Sequence, residues 1–184
     1  RDQEEDPEDD TAEDRYELGE LGSGLSGLRI TPLHAVQLAA TLSDGMMREP
    51  YWIAKVTNAQ GKMLSLPPLQ APKQVLSEDE AARLRAMMVE TTQRGTARRA
   101  FHARNGRMLL DPVRVAGKTG SLSGTNPTGR YEWFIGVAPA EAPTIAVAVV
   151  VVQGEVWHRS ASQMAAQVLS EIFCPRGVCD AKAA

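Results

Sequence analysis

The stretch "VRVAGKTGSLSG", Val113–Gly124, decides how the rest of this chain is interpreted. Its alternating apolar start predicts a half-buried strand, and that strand leads directly into Lys118, Thr119 and Gly120. The triplet offers a cation, a hydroxyl group and a position without a side chain. Two kinds of chemistry use these groups together, namely phosphate binding and acyl transfer.

The phosphate-binding interpretation fails on the spacing. A P-loop, G-x-x-x-x-G-K-[ST], needs a glycine at position 112, where this chain has Pro112. A P-loop must also open a helix, whereas the segment that follows, "GSLSGTNPTG", is dense in helix breakers. The sequence therefore excludes a P-loop.

Acyl transfer suits the triplet better. Lys118 would attract a substrate carboxylate, while Thr119 and Ser121 would donate hydrogen bonds to it. Gly120 would let a substrate backbone pair closely along the strand edge. A backbone N–H just beyond the triplet could stabilise the oxyanion of a tetrahedral intermediate.

The remainder of the chain predicts an α+β fold, with an antiparallel sheet flanked by helices. Thr31 and Pro32 are typical of a helix start, and this helix is expected to end at Asp44 and Gly45. Ser77 and Glu80 form a capping box that begins a second helix, which Gly95 ends. Further predicted elements are strands at 51–56, 131–139 and 144–154, the last buried on both faces, and a helix from Trp157 to Ile172.

Charge is distributed unevenly along the chain. Residues 1–20 hold 11 of the 23 acidic residues, and this composition predicts a solvated, disordered segment. No signal peptide is visible, and the longest uncharged run, 142–154, is shorter than the roughly 20 residues that span a bilayer. The basic run 94–118 is predicted to be solvated surface beside a substrate groove rather than a nucleic-acid site.

Two cysteines flank a turn near the C-terminus. Cys174 and Cys179, in "CPRGVC", predict a small-loop disulfide in an oxidising compartment, with free thiols as the alternative. The histidines show no metal-ligand spacing, so no metal site and no cofactor are predicted.

Several motifs follow one another in a recognisable order: "ITPLHAVQLAATLSDG", "REPYWIAKV", "MMVETTQRGTARRAF", "VAGKTGSL" and "YEWFIGVAPAEAPTIAVAVVVV". Over 21–173 this order resembles penicillin-binding protein transpeptidase domains, nearest to class B, of the serine β-lactamase and D,D-peptidase superfamily; 174–184 would form a tail. The resemblance implies a five-stranded antiparallel sheet with helices on both faces and a helical subdomain. It implies that Lys118, Thr119 and Gly120 line the active site and that Ser121 completes the carboxylate contacts.

The same resemblance exposes a departure. No serine of this chain is followed by Lys at the third position or by Asn at the second, so S-x-x-K and S-x-N are both absent. We therefore expect the C-terminal half of a D,D-transpeptidase domain, inactive alone, with its nucleophile outside these residues. The alternatives are a non-catalytic scaffold of cell-wall assembly and a β-lactamase relative.

The implied ligands are stem peptides ending in D-Ala-D-Ala and β-lactams, with the N-terminal half of the domain as a protein partner and no nucleic acid. The implied location is periplasmic or otherwise extracytoplasmic, with a membrane anchor outside this chain. The apolar strand in 144–154 would lack its neighbour, and an open apolar edge predicts poor solubility or a partly molten chain.

Overall fold

The computed structural model describes residues 12–24, 29–180 and 182, and the chain divides into two compact units, Arg1–Thr31 and Pro32–Ala184. The first unit contains helix α1, Ala12–Ser23. Helix α1 includes residues 12–20 of the segment predicted to be disordered, where Ala, Glu, Leu and Arg are good helix formers and acidic groups favour the helix N-terminus. Residues 1–11 lie outside the described residues, and the division between units falls after Thr31 rather than at residue 20.

The second unit is built on an antiparallel three-stranded sheet in the order β5–β6–β7. These strands are β5, Ala116–Thr125, β6, Thr128–Ala138, and β7, Ile145–Gln153. The antiparallel register pairs Thr119 with Phe134 and Phe134 with Val149. The first strand begins at residue 116, later than predicted, although Val113 and Val115 are buried as the alternation indicated.

Helices cover both faces of this sheet, as the resemblance implied. Helices α2, Pro32–Ala40, and α3, Glu78–Gln93, pack on one face. Helices α4, Arg98–Phe101, and α5, Ala161–Phe173, pack on the other. The larger core lies between the sheet and α5, and its largest fully buried members are Phe134, Phe173, Leu110, Leu169 and Val113. Among the described residues no helix is long and apolar enough to cross a bilayer.

The outer edge of β7 is open in the described part of the chain, where its only partner is β6. Most of its residues are half-buried, so the prediction that it is buried on both faces is wrong. An apolar strand with a free edge pairs readily with other chains. The expectation of poor solubility therefore stands, while the fully buried side chains of both cores favour cooperative unfolding over a molten state.

A long excursion separates α2 from α3. At the base of this excursion, β1, Met46–Met47, pairs with β4, Lys73–Gln74. At its tip, β2, Val56–Thr57, pairs with β3, Met63–Leu64. The predicted strand at 51–56 is wrong except for Val56. Residues 51–55 are exposed and pair with no strand of the described chain.

Local start signals were accurate for two helices and missed for a third. Helix α2 begins at Pro32 as predicted and ends at Ala40, four residues before Asp44. Helix α3 carries the predicted capping box and ends at Gln93, just before Gly95. The last helix begins at residue 161, not at Trp157, because Ser160 and Gln163 form a second capping box. The sulfurs of Cys174 and Cys179 are bonded.

Replacing Ser77 by alanine is expected to lower the free energy of unfolding by about 1 kcal/mol. The Ser77 hydroxyl accepts a hydrogen bond from the Glu80 backbone N–H at 3.2 Å and donates to the Glu80 carboxylate at 2.7 Å. The hydroxyl's bond to the carboxylate first, and then the bond that the Ser77 backbone N–H donates to the same carboxylate at 2.7 Å, hold the pKa of Glu80 below its usual value. The stability that the lowered pKa of Glu80 contributes is present above the usual pKa of a glutamate, and it is lost as the pH falls through the lowered pKa.

Urea titrations should therefore show a lower free energy of unfolding for S77A than for wild type at neutral pH, and this difference should narrow below about pH 4. Ser65→Ala is the matched control, because Ser65 is exposed and makes only a long 3.5 Å hydrogen bond to the Leu66 carbonyl. An S77A effect no larger than that of S65A would contradict the role of the capping box.

Candidate functional site

Strand β5 presents two different sets of groups on its two faces. Thr119 and Ser121 lie opposite Phe134 and Glu132 of β6, on the face covered by α5. Lys118 alternates with them and therefore points to the other face. Within the described residues β5 pairs with β6 alone, so its outer edge is free along the whole triplet. A ligand backbone can therefore pair with this edge while its substituents meet either face.

The Thr119 hydroxyl is held by a second threonine. Its Oγ1 lies 2.7 Å from the Oγ1 of Thr96, in the turn between α3 and α4. The entry to β5 is tied to the same helix, because the buried Thr92 hydroxyl donates to the Val115 carbonyl at 2.7 Å. The position of the Thr119 side chain is therefore fixed from α3 as well as from the sheet.

A cleft of about 430 Å³ opens beside Thr119, Gly120 and Ser121. The turn after α3, the strand β6 and the first turn of α5 form its walls. The other residues that line it are Thr96, Arg99, Ala100, Arg130, Glu132, Trp133, Ser160, Ala161, Ser162 and Gln163.

Lys118 lies outside this cleft. It lines an adjoining depression of about 450 Å³ with Glu90 and Arg94, among others, and Thr96 and Thr119 line both. Its Nζ donates a hydrogen bond to the Thr119 carbonyl at 2.8 Å, and the side chain is exposed. The predicted site residues are thus brought together on one strand, but the lysine serves the opposite face from the hydroxyl groups.

Arg130 connects the end of the site to the next strand. Its Nη2 donates to the Ser121 Oγ at 3.3 Å, and its guanidinium lies 5.3 Å from the centre of the Trp157 ring. Its Nε is 3.9 Å from a carboxylate oxygen of Glu132. Ser121 therefore has a cationic donor at its oxygen, which leaves its own hydroxyl proton available for a ligand.

Sequence reasoning missed several of these contributors. Arg99 was predicted only as part of a basic surface, and Arg130 and Ser162 were not singled out at all. Trp133 is a further contributor, since it is partly exposed and lines the cleft, whereas its neighbour Phe134 is fully buried. The Ser160–Gln163 capping box was the available signal, since it would have placed the helix N-terminus beside the cleft.

No cluster of three or more His, Cys, Asp or Glu side chains that could hold a metal ion occurs among the described residues. The site offers hydroxyl groups, guanidinium groups, one lysine, the Glu132 carboxylate and a strand edge that is unpaired within the described residues. Such a set recognises a carboxylate on an extended peptide.

Comparison with known proteins agrees with this assignment. The family model for the penicillin binding protein transpeptidase domain matches residues 1–173. The peptidoglycan D,D-transpeptidase PbpA of Mycolicibacterium smegmatis is 31% identical over 145 residues, which are 77% of this chain and 28% of that protein. Stage V sporulation protein D of Bacillus subtilis is 33% identical over 68% of this chain and 19% of its own length.

Solved structures give the same result. The D,D-transpeptidase domain of a peptidoglycan glycosyltransferase from Eggerthella lenta superposes with a TM-score of 0.64 at 32% identity, over 78% of this chain and 32% of that one. Penicillin-binding protein A from M. tuberculosis, solved as an imipenem acyl-enzyme complex, gives 0.63 at 25% identity, over 82% and 33%. This chain therefore spans a third or less of each of these four proteins.

Proposed function

We propose, from the premise that this chain belongs to the family of penicillin binding protein transpeptidase domains, that it forms the substrate-binding half of a peptidoglycan D,D-transpeptidase. One observation carries the proposal. Thr119 and Ser121 present their hydroxyl groups on one face of a free strand edge, beside a cleft of about 430 Å³. A donor peptide needs both features, because its backbone pairs with the edge and its terminal carboxylate accepts from the hydroxyls.

The reaction cross-links two peptides by acyl transfer. A serine oxygen attacks the carbonyl between the last two D-Ala residues, an ester forms, and the terminal D-Ala leaves as the free amino acid. The amine of a neighbouring stem peptide then attacks the ester, which forms the new amide and releases the serine. The serine and its lysine base belong to an S-x-x-K motif that these 184 residues do not contain.

The residues of strand β5 and their neighbours would hold the donor during these steps. Thr119 can donate its proton to the donor carboxylate because Thr96, 2.7 Å away, can in turn donate to the Thr119 oxygen. Ser121 can do the same because Arg130 donates to its oxygen. Lys118, on the other face, would stabilise negative charge next to the S-x-x-K and S-x-N groups of the N-terminal half.

A location of this chain outside the cytoplasm follows from the same proposal. Peptidoglycan precursors are cross-linked outside the membrane, and the Cys174–Cys179 bond is stable in an oxidising compartment. We place the chain in the periplasm or its equivalent, anchored through a segment other than these residues.

Thr119→Val is expected to weaken binding of N-acetyl-D-Ala-D-Ala to the purified chain about tenfold, because the isosteric change leaves a ligand carboxylate without one charge-assisted donor. The measurement is an NMR titration of backbone amides in β5. Ser123→Ala is the matched control, since Ser123 is exposed on the same face of β5 and does not line the cleft. Equal affinities for T119V and wild type would contradict the assigned role.

A labelled-penicillin assay with intact-mass spectrometry completes the test. No covalent adduct is expected, because the nucleophile lies outside these residues. An adduct mapped to a serine of this chain would overturn that assignment. A chain that neither acylates nor binds D-Ala-D-Ala ligands would instead fit the non-catalytic scaffold, which the missing S-x-x-K favours.

A further inference from the structure

Gln153 is the largest buried polar side chain of the described residues, and only 2% of it is exposed. It ends strand β7 and lies directly opposite Arg130 of β6 in the register. Both side chains are therefore on the sheet face that α5 covers. Because a buried amide must have its polar atoms paired, the partners of Gln153 show which groups it holds in place.

The Gln153 amide joins strand β6 to the loop that leads into α5. Its Nε2 donates to the Glu132 carboxylate at 3.3 Å and to the Arg159 carbonyl at 3.2 Å. Its Oε1 accepts from the backbone N–H of His158 at 3.0 Å. One buried side chain therefore fixes a carboxylate of β6 and the loop before α5 at the same time.

Glu132 is the group whose position matters for the candidate site. It lines the cleft and lies directly opposite Ser121 in the register, so its carboxylate is within reach of the Ser121 hydroxyl. A carboxylate is a strong acceptor for a hydroxyl proton. If Glu132 accepted that proton, a ligand carboxylate would lose one donor and would also meet a like charge.

Other groups hold the Glu132 carboxylate in the structure. Its Oε2 accepts from Gln153, and its Oε1 lies 3.9 Å from the Arg130 Nε. Arg130 in turn donates to the Ser121 Oγ at 3.3 Å, and among the described residues no hydrogen bond joins Glu132 to Ser121. The Ser121 proton is thereby left for a ligand, although Gln153 itself does not line the cleft.

We propose that Gln153 is a positioning residue of the carboxylate site and acts on Ser121 through Glu132. By fixing the Glu132 carboxylate, it keeps the Ser121 hydroxyl free to donate. It thereby increases the preference of the cleft for a ligand with a terminal carboxylate over the same ligand with a terminal carboxamide. The inference rests on the proposed function, because that function assigns the donor carboxylate to Ser121.

The test compares two ligands, N-acetyl-D-Ala-D-Ala and its C-terminal amide, by NMR titration of the purified chain. Wild type should bind the acid more tightly than the amide. Gln153→Met keeps nearly the same volume but loses all of the hydrogen bonds of the amide, and it should lower this acid-to-amide ratio about fivefold. In a Glu132→Gln background no carboxylate is left to release, so Q153M should change the ratio by less than about twofold.

Val149→Ala is the control for lost stability. Val149 lies on the same face of β7, opposite Phe134, and packs against the core beneath α5. V149A should destabilise the same strand without freeing Glu132, so the acid-to-amide ratio should stay at the wild-type value. If Q153M does not fold, Gln153→Asn replaces it in both backgrounds, because a shorter amide withdraws from Glu132 while a polar group remains at the position.

An acid-to-amide ratio that the Gln153 variant leaves unchanged overturns the inference. So does a loss that is equally large in the E132Q background, or one that V149A reproduces. Each of these results leaves the proposed function intact, since wild type still prefers the acid. A wild type that binds neither ligand, or binds both equally, overturns the carboxylate role of the β5 hydroxyl groups and the role of Gln153 with it.

Discussion

Replacing Phe134 by alanine is expected to lower the free energy of unfolding by about 3–5 kcal/mol. The ring is fully buried and lies 5.5 Å, centre to centre, from that of Phe101. It packs between the sheet and α5, and Gly117 lies directly against it. Removing it loses the transfer free energy of the ring and leaves a cavity that the rigid strand pair cannot close.

The measurement is a urea titration of F134A against wild type at micromolar protein concentration. Phe134→Leu is the control, because it keeps most of the volume and should cost less than about 1.5 kcal/mol. Since Phe134 lies opposite Thr119 in the register, F134A should also weaken D-Ala-D-Ala binding in the fraction that remains folded. A loss of stability below 1 kcal/mol would mean that the ring is not central to this core.

Replacing Gly117 by alanine is expected to cost about 1–3 kcal/mol of stability. A Cβ atom on Gly117 would lie 2.3 Å from the Phe134 Cζ, and a fully buried ring cannot move aside cheaply. The new methyl group must therefore push either the ring into the core or β5 away from β6. Both movements displace the strand that carries Lys118 and Thr119.

Gly120→Ala is the matched control within the same strand. Its Cβ would lie 3.5 Å from the nearest atom, the Trp133 Cβ, which is an ordinary contact. We expect a change in stability below about 0.5 kcal/mol for G120A. Thermal and urea unfolding of the two variants should therefore differ clearly, and equal effects would show that crowding against Phe134 is not the cause.

Much of the fold could be predicted because its signals are local. The capping box at Ser77, the Pro32 helix start and the long apolar strands lie within short windows of sequence, and each appears in the structure. The strand at 51–56 was mispredicted because strand propensity does not reveal whether a pairing partner exists. Helix α1 was missed because net charge obscured good intrinsic helix formers.

The candidate site also has one part that local sequence signals predict and one part that they do not. The Lys118–Ser121 segment could be read from one short motif, whereas the cleft needs residues that are distant in sequence. Arg99, Arg130 and Ser162 come from three elements, and only the sheet register and the packing of α5 bring them together. Neither arginine carries a motif of its own, and Ser162 is marked only by the Ser160–Gln163 capping box around it, so sequence reasoning had no means of selecting these arginines from the others.

The hydrogen bond from the Thr92 hydroxyl to the Val115 carbonyl has a consequence for local opening. It joins the last turn of α3 to the residue just before β5, in a buried environment. The site strand and this helix turn then belong to one cooperative unit, or foldon, rather than to a loop that opens separately. The amide protons of β5 that are hydrogen-bonded to β6 should therefore exchange with solvent no faster than those at the end of α3.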